Sequence, residues 1–201
     1  MFYKKEREFQ YAPGIEKILE DVVGGGTIDR VSLKGAVFNG KTLEELPPLV
    51  VVVQNENGVY CALKTARVFE AAAEDATSIK VTKNHLFSVG DFVTVGGDLQ
   101  GASDQITAID KSNSGYDVIT LAATIGAASK GSVLVQTKDK QAAGAVTLPY
   151  DGEVVLTMNK VNLTVANQQS GLLVRGTANE SCMPFPIDKG IKALMPFIRF
   201  V

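Results

Sequence analysis

Residues Thr77 to Lys138 read TSIKVTKNHLFSVGDFVTVGGDLQGASDQITAIDKSNSGYDVITLAATIGAASKGSVLVQTK, and the fold turns on this stretch. Short runs rich in β-branched residues at 78–82, 91–96, 104–110, 116–121 and 132–137 predict strands. Between them stand turn formers: Gly96-Gly97-Asp98, Ser112 to Gly115, and Gly126 to Gly131. Ser88-Val89-Gly90-Asp91 is a tight turn feeding Phe92 to Val95. Five or more short strands in about 60 residues predict a small β-barrel, because closure removes exposed strand edges.

Both flanks read as two parts of one other body. Ala71 to Ala76 is a small-residue link into the middle module, and Gln141 to Ala145 is the link out. The expected organisation is a discontinuous β-rich domain, 1–76 plus 139–201, interrupted by an inserted module at 77–138. In the first flank, Ile15, Ile18, Leu19 and Val22 recur at helical spacing and predict a short amphipathic helix over Gly14–Val23, stopped by Gly24-Gly25-Gly26. Val31 to Phe38 alternates and predicts a strand, closed by Asn39-Gly40. Thr42 to Glu45 has the pattern of a capped helical turn. Leu49 to Val53 predicts a strand buried on both faces. Asn55-Glu56-Asn57-Gly58 then turns the chain into a partner strand over Val59 to Phe69. In the second flank, strands are expected at Val154–Met158, Val161–Ala166 and Leu172–Gly176. A short helix near Lys189–Met195 and an apolar ending, Phe197-Ile198-Arg199-Phe200-Val201, follow. The fold class is therefore mainly β: a β-rich outer domain with short helices (α+β) and an inserted small β-barrel.

Composition narrows the function classes. The chain has 201 residues, a formal charge of −2, 45% apolar and 21% charged residues. This carries no electrostatic footprint for nucleic acid or an anionic membrane, so neither is expected as a partner. No run of about 18 apolar residues predicts a membrane helix. The stretch Met1 to Glu8 lacks the apolar core of a secretion signal, so folding in a cytoplasm is expected. Cys61 and Cys182 make no metal motif and no CxxC, and are expected as two buried free thiols.

Chemistry-bearing residues are sparse. His85 is the one histidine, beside a turn, and reads as a structural or surface residue rather than a ligand. Nucleophilic catalysis needs a base and an orienting acid beside a Ser, Thr or Cys. No G-x-S-x-G occurs, and Glu44-Glu45 and Glu74-Asp75 read as solvated or capping pairs. Gly24-Gly25-Gly26-Thr27 lacks the G-K-[ST] of a phosphate loop and follows the predicted helix instead of preceding one. Asn162-Leu163-Thr164 and Asn179-Glu180-Ser181 match the glycosylation sequon but carry little weight without a secretion signal. With no tryptophan, Tyr60, Tyr116 and Tyr150 are the rings left for a sugar platform. No catalytic, cofactor-binding or metal-binding residue is expected, no cofactor is implied, and the chain is expected not to be an enzyme. An enzyme reading needs carboxylates from distant segments to converge in one cleft.

The stretch Gly171-Leu172-Leu173-Val174-Arg175-Gly176-Thr177-Ala178-Asn179-Glu180-Ser181-Cys182-Met183-Pro184, then a short helix and the ending Pro196 to Val201, resembles the end of tailed-phage head decoration proteins. In that family a core strand carries an L-x-R-G-x-x-N type pattern, matched here by Leu173 to Asn179. The middle module, with FSVGDFVTV, DQITAID, YDVITL and KGSVLVQ, is similar to modules of phage head fiber and capsid-associated proteins, many from Bacteroides phages or prophages. Minimal decoration proteins lack such an insertion, so the resemblance leaves a cement role and a fiber role both open.

The resemblance implies a non-enzymatic virion protein, made in the bacterial cytoplasm and placed on the capsid surface. Its implied partners are the major capsid protein and itself, as a homotrimer. The expected oligomer or capsid interface comprises Phe2, Tyr3, Phe9 and Tyr11 on a charged N-terminal arm, with Phe197, Ile198, Phe200 and Val201 at the other end. The arm reads equally as a frayed terminus. The alternative is a carbohydrate- or protein-binding adhesin or tail-associated module, with a host surface glycan as its ligand.

Overall fold

The computed structural model describes residues 14–38 and 40–201. The protein is mainly β with short helices, and its backbone is organised by two six-stranded sheets. The strands of these sheets are, in chain order, β1 (Ile15–Asp21), β2 (Val51–Gln54), β3 (Tyr60–Ala62), β4 (Thr65–Arg67), β5 (Ser78–Thr82), β6 (Phe92–Val95), β7 (Ser103–Asp110), β8 (Tyr116–Leu121), β9 (Val133–Thr137), β10 (Val154–Thr157), β11 (Leu172–Ala178) and β12 (Ile198–Phe200). The first sheet runs β1-β11-β10-β2-β3, with β12 laid parallel onto the end of β11. The second runs β4-β9-β6-β7-β8-β5, antiparallel throughout. One α-helix, α1 (Lys189–Ala193), and one 3-10 turn, Glu180–Cys182, occur among the described residues.

The middle stretch folds as its turns dictate, with five strands ending within a residue of the expected positions. No closed barrel forms. The sheet takes in β4, from ahead of residue 77, and remains an open path. Between its two ends the backbone makes an isolated bridge between Val68 and Val81 and a 2.8 Å bond from the Phe69 N–H to the Lys80 carbonyl, with no continuous ladder. Three-residue β4 is too short to build a full closing ladder before the chain turns away into Ala71–Ala76.

The expected helix over Gly14–Val23 is a strand. β1 pairs antiparallel with β11 from Ile15↔Ala178 to Asp21↔Leu173, with three register shifts. Each bulge adds a residue and breaks the strand's two-residue alternation. Apolar side chains spaced by three can then face the same way, and Ile15 and Ile18 both pack on the core. The glycines after it make a turn: Gly24 and Gly25 have φ of 80° and 71°, in the left-handed region that glycine tolerates.

The expected strand over Val31–Phe38 is mostly a turn as well. The Asp29 carboxylate accepts the N–H groups of Val31 and Ser32 at 2.9 and 3.1 Å, and this local capture competes with a ladder. Only Val37–Phe38 pairs, with Lys41–Thr42. Thr42–Glu45 forms no helical turn; Glu45–Leu46 pairs instead with Val161–Asn162. By contrast, the Asn55 turn forms as expected, its side-chain oxygen accepting from the Asn57 and Val59 N–H groups.

Three apolar clusters fill the interior. One lies among β2, β10, β11 and α1, and also holds Val133 and Val135 of β9. A second lies on the other face of the first sheet, around Val50, Val52, Tyr60, Leu86 and Leu172. The third is enclosed by the second sheet, around Ile79, Val93, Ile106 and Ile119. The chain passes from β3 to β4 through only Leu63 and Lys64, both buried.

Candidate functional site

The C-terminal segment is built from β11 outward. After Ala178 the Asn179 side chain caps the 3-10 turn, accepting from the Ser181 N–H at 3.0 Å. Asp188 then caps α1, its Oδ1 accepting from the Ile191 N–H at 2.8 Å. The chain returns as β12, and the Val201 N–H donates to the Ala178 carbonyl at 3.0 Å while its own carbonyl accepts from Glu180. This anchoring sorts the expected interface residues. Ile198 is buried in the first cluster, and Phe200 packs against that cluster with the Lys192 ammonium 5.7 Å from its ring centroid. Phe197 and Val201 face out, at 65% and 46% exposure. Phe2, Tyr3, Phe9 and Tyr11 lie outside the described residues.

Of the three tyrosines, Tyr60 is buried beneath Gly26. Tyr150 is half-buried beside the Cys61 thiol, and burial pushes that thiol above its ordinary pKa. Tyr116 stacks on Phe69 with centroids 5.3 Å apart, and the Lys80 ammonium lies 5.2 Å from the Tyr116 ring centroid. Both cysteines are free, but Cys182 is exposed: the turn after β11 lifts it out of the core.

Two groups of ionisable side chains are buried. Lys64, between β3 and β4, reaches Asp91 at 2.8 and 3.0 Å, and Asp91 also accepts from the Ser88 N–H at 2.8 Å. Gln136 joins the pair from β9 at 3.3 Å. His85, expected at a turn or on the surface, is buried. Its Nε2 stands 3.2 Å from Asp117 Oδ2 but out of hydrogen-bond alignment, and neither ring nitrogen has a hydrogen-bond partner among the described residues. Burial drives its pKa down to about 4; Lys111 adds to the fall and Asp117 opposes it. The two residues after His85 divide between cores, Leu86 entering the second cluster and Phe87 the third.

One surface feature has no counterpart in the expectations. A recess of about 500 Å³ is floored by Leu33, Leu43 and Leu163, with Arg30, Lys34 and Glu44 on its rim. The alternation of Val31 to Phe38 reads as a strand, so nothing in the sequence marks the turn that forms it. No group of three or more His, Cys, Asp or Glu side chains is gathered among the described residues, and none of their helices is long and apolar enough to cross a membrane. Comparison with protein-family models, with curated proteins and with solved structures finds no match to this chain.

Proposed function

We propose that this chain is a non-enzymatic structural protein of a tailed-phage head, bound to the capsid surface as a homo-oligomer. The observation that carries the reading is the C-terminal unit, whose sequence resembles head decoration proteins. It packs as β11, capped turn, α1 and parallel β12, and holds Phe197 and Val201 outward on a rigid support. Exposed apolar side chains on a fixed frame suit docking onto another protein. Covering one phenylalanine contributes about 2 kcal/mol. A symmetric shell multiplies such a contact over many copies. The buried ionisable groups fit the same reading, since Lys64 pairs with Asp91 where the chain crosses between the sheets and Asp117 pairs with Lys83 at one end of the second sheet.

The test is cosedimentation with empty capsid shells of the phage or prophage that encodes the chain. Saturable binding, weakened by Phe197→Ser in a variant of unchanged circular dichroism, is expected. A chain that stays in the supernatant at micromolar shell protein overturns the proposal. A glycan-binding adhesin is the second reading, favoured by the outward Phe69 ring (41% exposed) stacked on Tyr116. A glycan array decides it, and signal lost in Phe69→Ala is its expected result.

A further inference from the structure

The first sheet ends in a projecting tip. After β1 the chain turns at Val22–Gly25, closed by a 2.8 Å bond from the Gly25 N–H to the Val22 carbonyl. Val23 sits on this turn at 98% exposure, and Leu19, four residues earlier on β1, is 57% exposed. Val22, by contrast, packs against the second apolar cluster and anchors the turn. Glu20 and Asp21 are exposed between the two apolar residues. The end of β1 and its turn therefore present two exposed apolar side chains and two exposed carboxylates within five residues.

Strand addition is a poor use of this edge. β1 carries three register shifts and the charges of Glu16, Lys17, Glu20 and Asp21, the devices that keep an edge from pairing. Its neighbours at the other sheet ends are covered: Ile28 bridges to Tyr60 beside β3, and β4 and β5 meet each other. What remains available on β1 is side-chain contact at the tip.

The recess at Arg30 and Lys34 has the opposite character. Its floor is apolar and its rim bears two cations. Arg30 spends one guanidinium nitrogen on the Thr164 carbonyl at 3.1 Å, and Lys34 has no partner among the described residues. Glu44 is the single carboxylate of the rim, as Lys17 is the single cation of β1. The tip of the same copy does not line the recess.

We infer that the Val23 tip of one copy seats in the Arg30–Lys34 recess of a second copy, Val23 and Leu19 on the leucine floor and Glu20 and Asp21 against the two cations. This rests on the homo-oligomer part of the proposed function and names its surfaces. Tip and recess are different patches, so the contact is heterologous, and repetition closes a ring where the rotation between copies divides a full turn. Opposite charges at the rim set register and speed the encounter, while the apolar contact slows dissociation.

Light scattering on a sizing column over a dilution series is the experiment, with the full chain. The wild type is expected to be oligomeric. Glu20→Lys with Asp21→Lys, and separately Arg30→Glu with Lys34→Glu, should each weaken assembly at least tenfold. All four changes in one chain should restore it, whatever the ring size. Val23→Asp should give a folded monomer, since its side chain touches little in its own copy. A wild type that is monomeric at every concentration, reversals that leave the mass unchanged, or a fourfold variant that stays dissociated each overturn the inference. Reversals without effect on a stable oligomer leave the homo-oligomer reading standing, and shell cosedimentation of the same variants reports on capsid binding separately.

Discussion

Asp188 bonds Gly97 across the molecule: its Oδ2 accepts the Gly97 N–H at 2.6 Å while its Oδ1 caps α1. One side chain thus fixes the start of the loop after β6 and caps the helix that precedes β12. Asp188→Ala removes a helix cap and leaves the Gly97 N–H without its acceptor. A cap is worth about 1 kcal/mol and a charge-assisted bond somewhat more, so a loss of about 2–3 kcal/mol is expected in urea unfolding. Asp188→Asn keeps one acceptor oxygen, so one of the two N–H groups retains its partner, and it should lose less. Gly96→Ala should be worse than either alone at this seam, because a Cβ there meets Asp188 Oδ2 and stands 2.8 Å from the Val133 carbonyl oxygen.

His85 makes stability depend on acidity. Its folded pKa, about 4, lies below the ordinary 6.5, so the unfolded chain binds the proton more tightly. The neutral ring's contribution is complete above about pH 6.5 and is lost as pH falls toward 4. A gap of this size corresponds to about 3 kcal/mol at full titration. Because Leu86 and Phe87 enter two different cores, loosening His85 weakens the join between them. The urea midpoint of the wild type should fall between pH 7 and pH 4.5 by more than that of His85→Gln. Parallel slopes for the two proteins refute the assignment.

The middle strands were legible because each is bounded by glycine or Asn-Ser turns, and turn chemistry is local. β1 was not. Its Ile15, Ile18, Leu19 and Val22 spacing fits a helix, and only the bulged pairing with β11 explains why a strand tolerates it. That partner lies more than 150 residues away, where no local pattern reaches. Val31–Phe38 differs for a local reason: one carboxylate two residues ahead, Asp29, captures the Val31 and Ser32 N–H groups, and the apolar alternation outweighs it in the sequence. At the site, the apolar ending Phe197 to Val201 was visible in the sequence, but the split into inward Ile198 and Phe200 and outward Phe197 and Val201 depends on the parallel docking of β12. The Val23 tip and the Arg30–Lys34 recess were invisible, since a valine before Gly24-Gly25-Gly26 reads as the last residue of a helix.

The Phe69–Tyr116 stack closes the seam where β4 and β5 meet, next to the single bridge Val68↔Val81. Aromatic pairs contribute about 1 kcal/mol beyond their burial. Phe69→Ala should therefore lower stability by about 1–2 kcal/mol. It should also speed amide exchange at Phe69, whose N–H bonds Lys80, ahead of the interior of the second sheet. Uniform exchange across that sheet would show the seam to be no weaker than the ladders.

Lys64 and Asp91 form the polar pin between the sheets, and their energetics separate into two parts. The Lys64 side chain is 4% exposed and that of Asp91 15%, so each depends on the other for its charge. Asp91→Ala leaves a buried ammonium uncompensated and also frees the Ser88 N–H, and a loss of about 3 kcal/mol or more is expected. Lys64→Met should cost less, because Asp91 keeps the Ser88 and Gln136 donors. The double replacement by Met and Leu removes both desolvation costs and should recover most of the deficit. A double-mutant cycle in guanidinium measures this directly: a coupling of more than about 2 kcal/mol is expected for a pair in contact. The same cycle read by hydrogen exchange localises the effect. The pin sits where the chain crosses from β3 to β4 through two residues, so its loss should expose amides of β4 and β9 while leaving β10 and β11 protected. Equal exposure of both sheets would mean that they unfold as one unit and that the pin holds no separate joint.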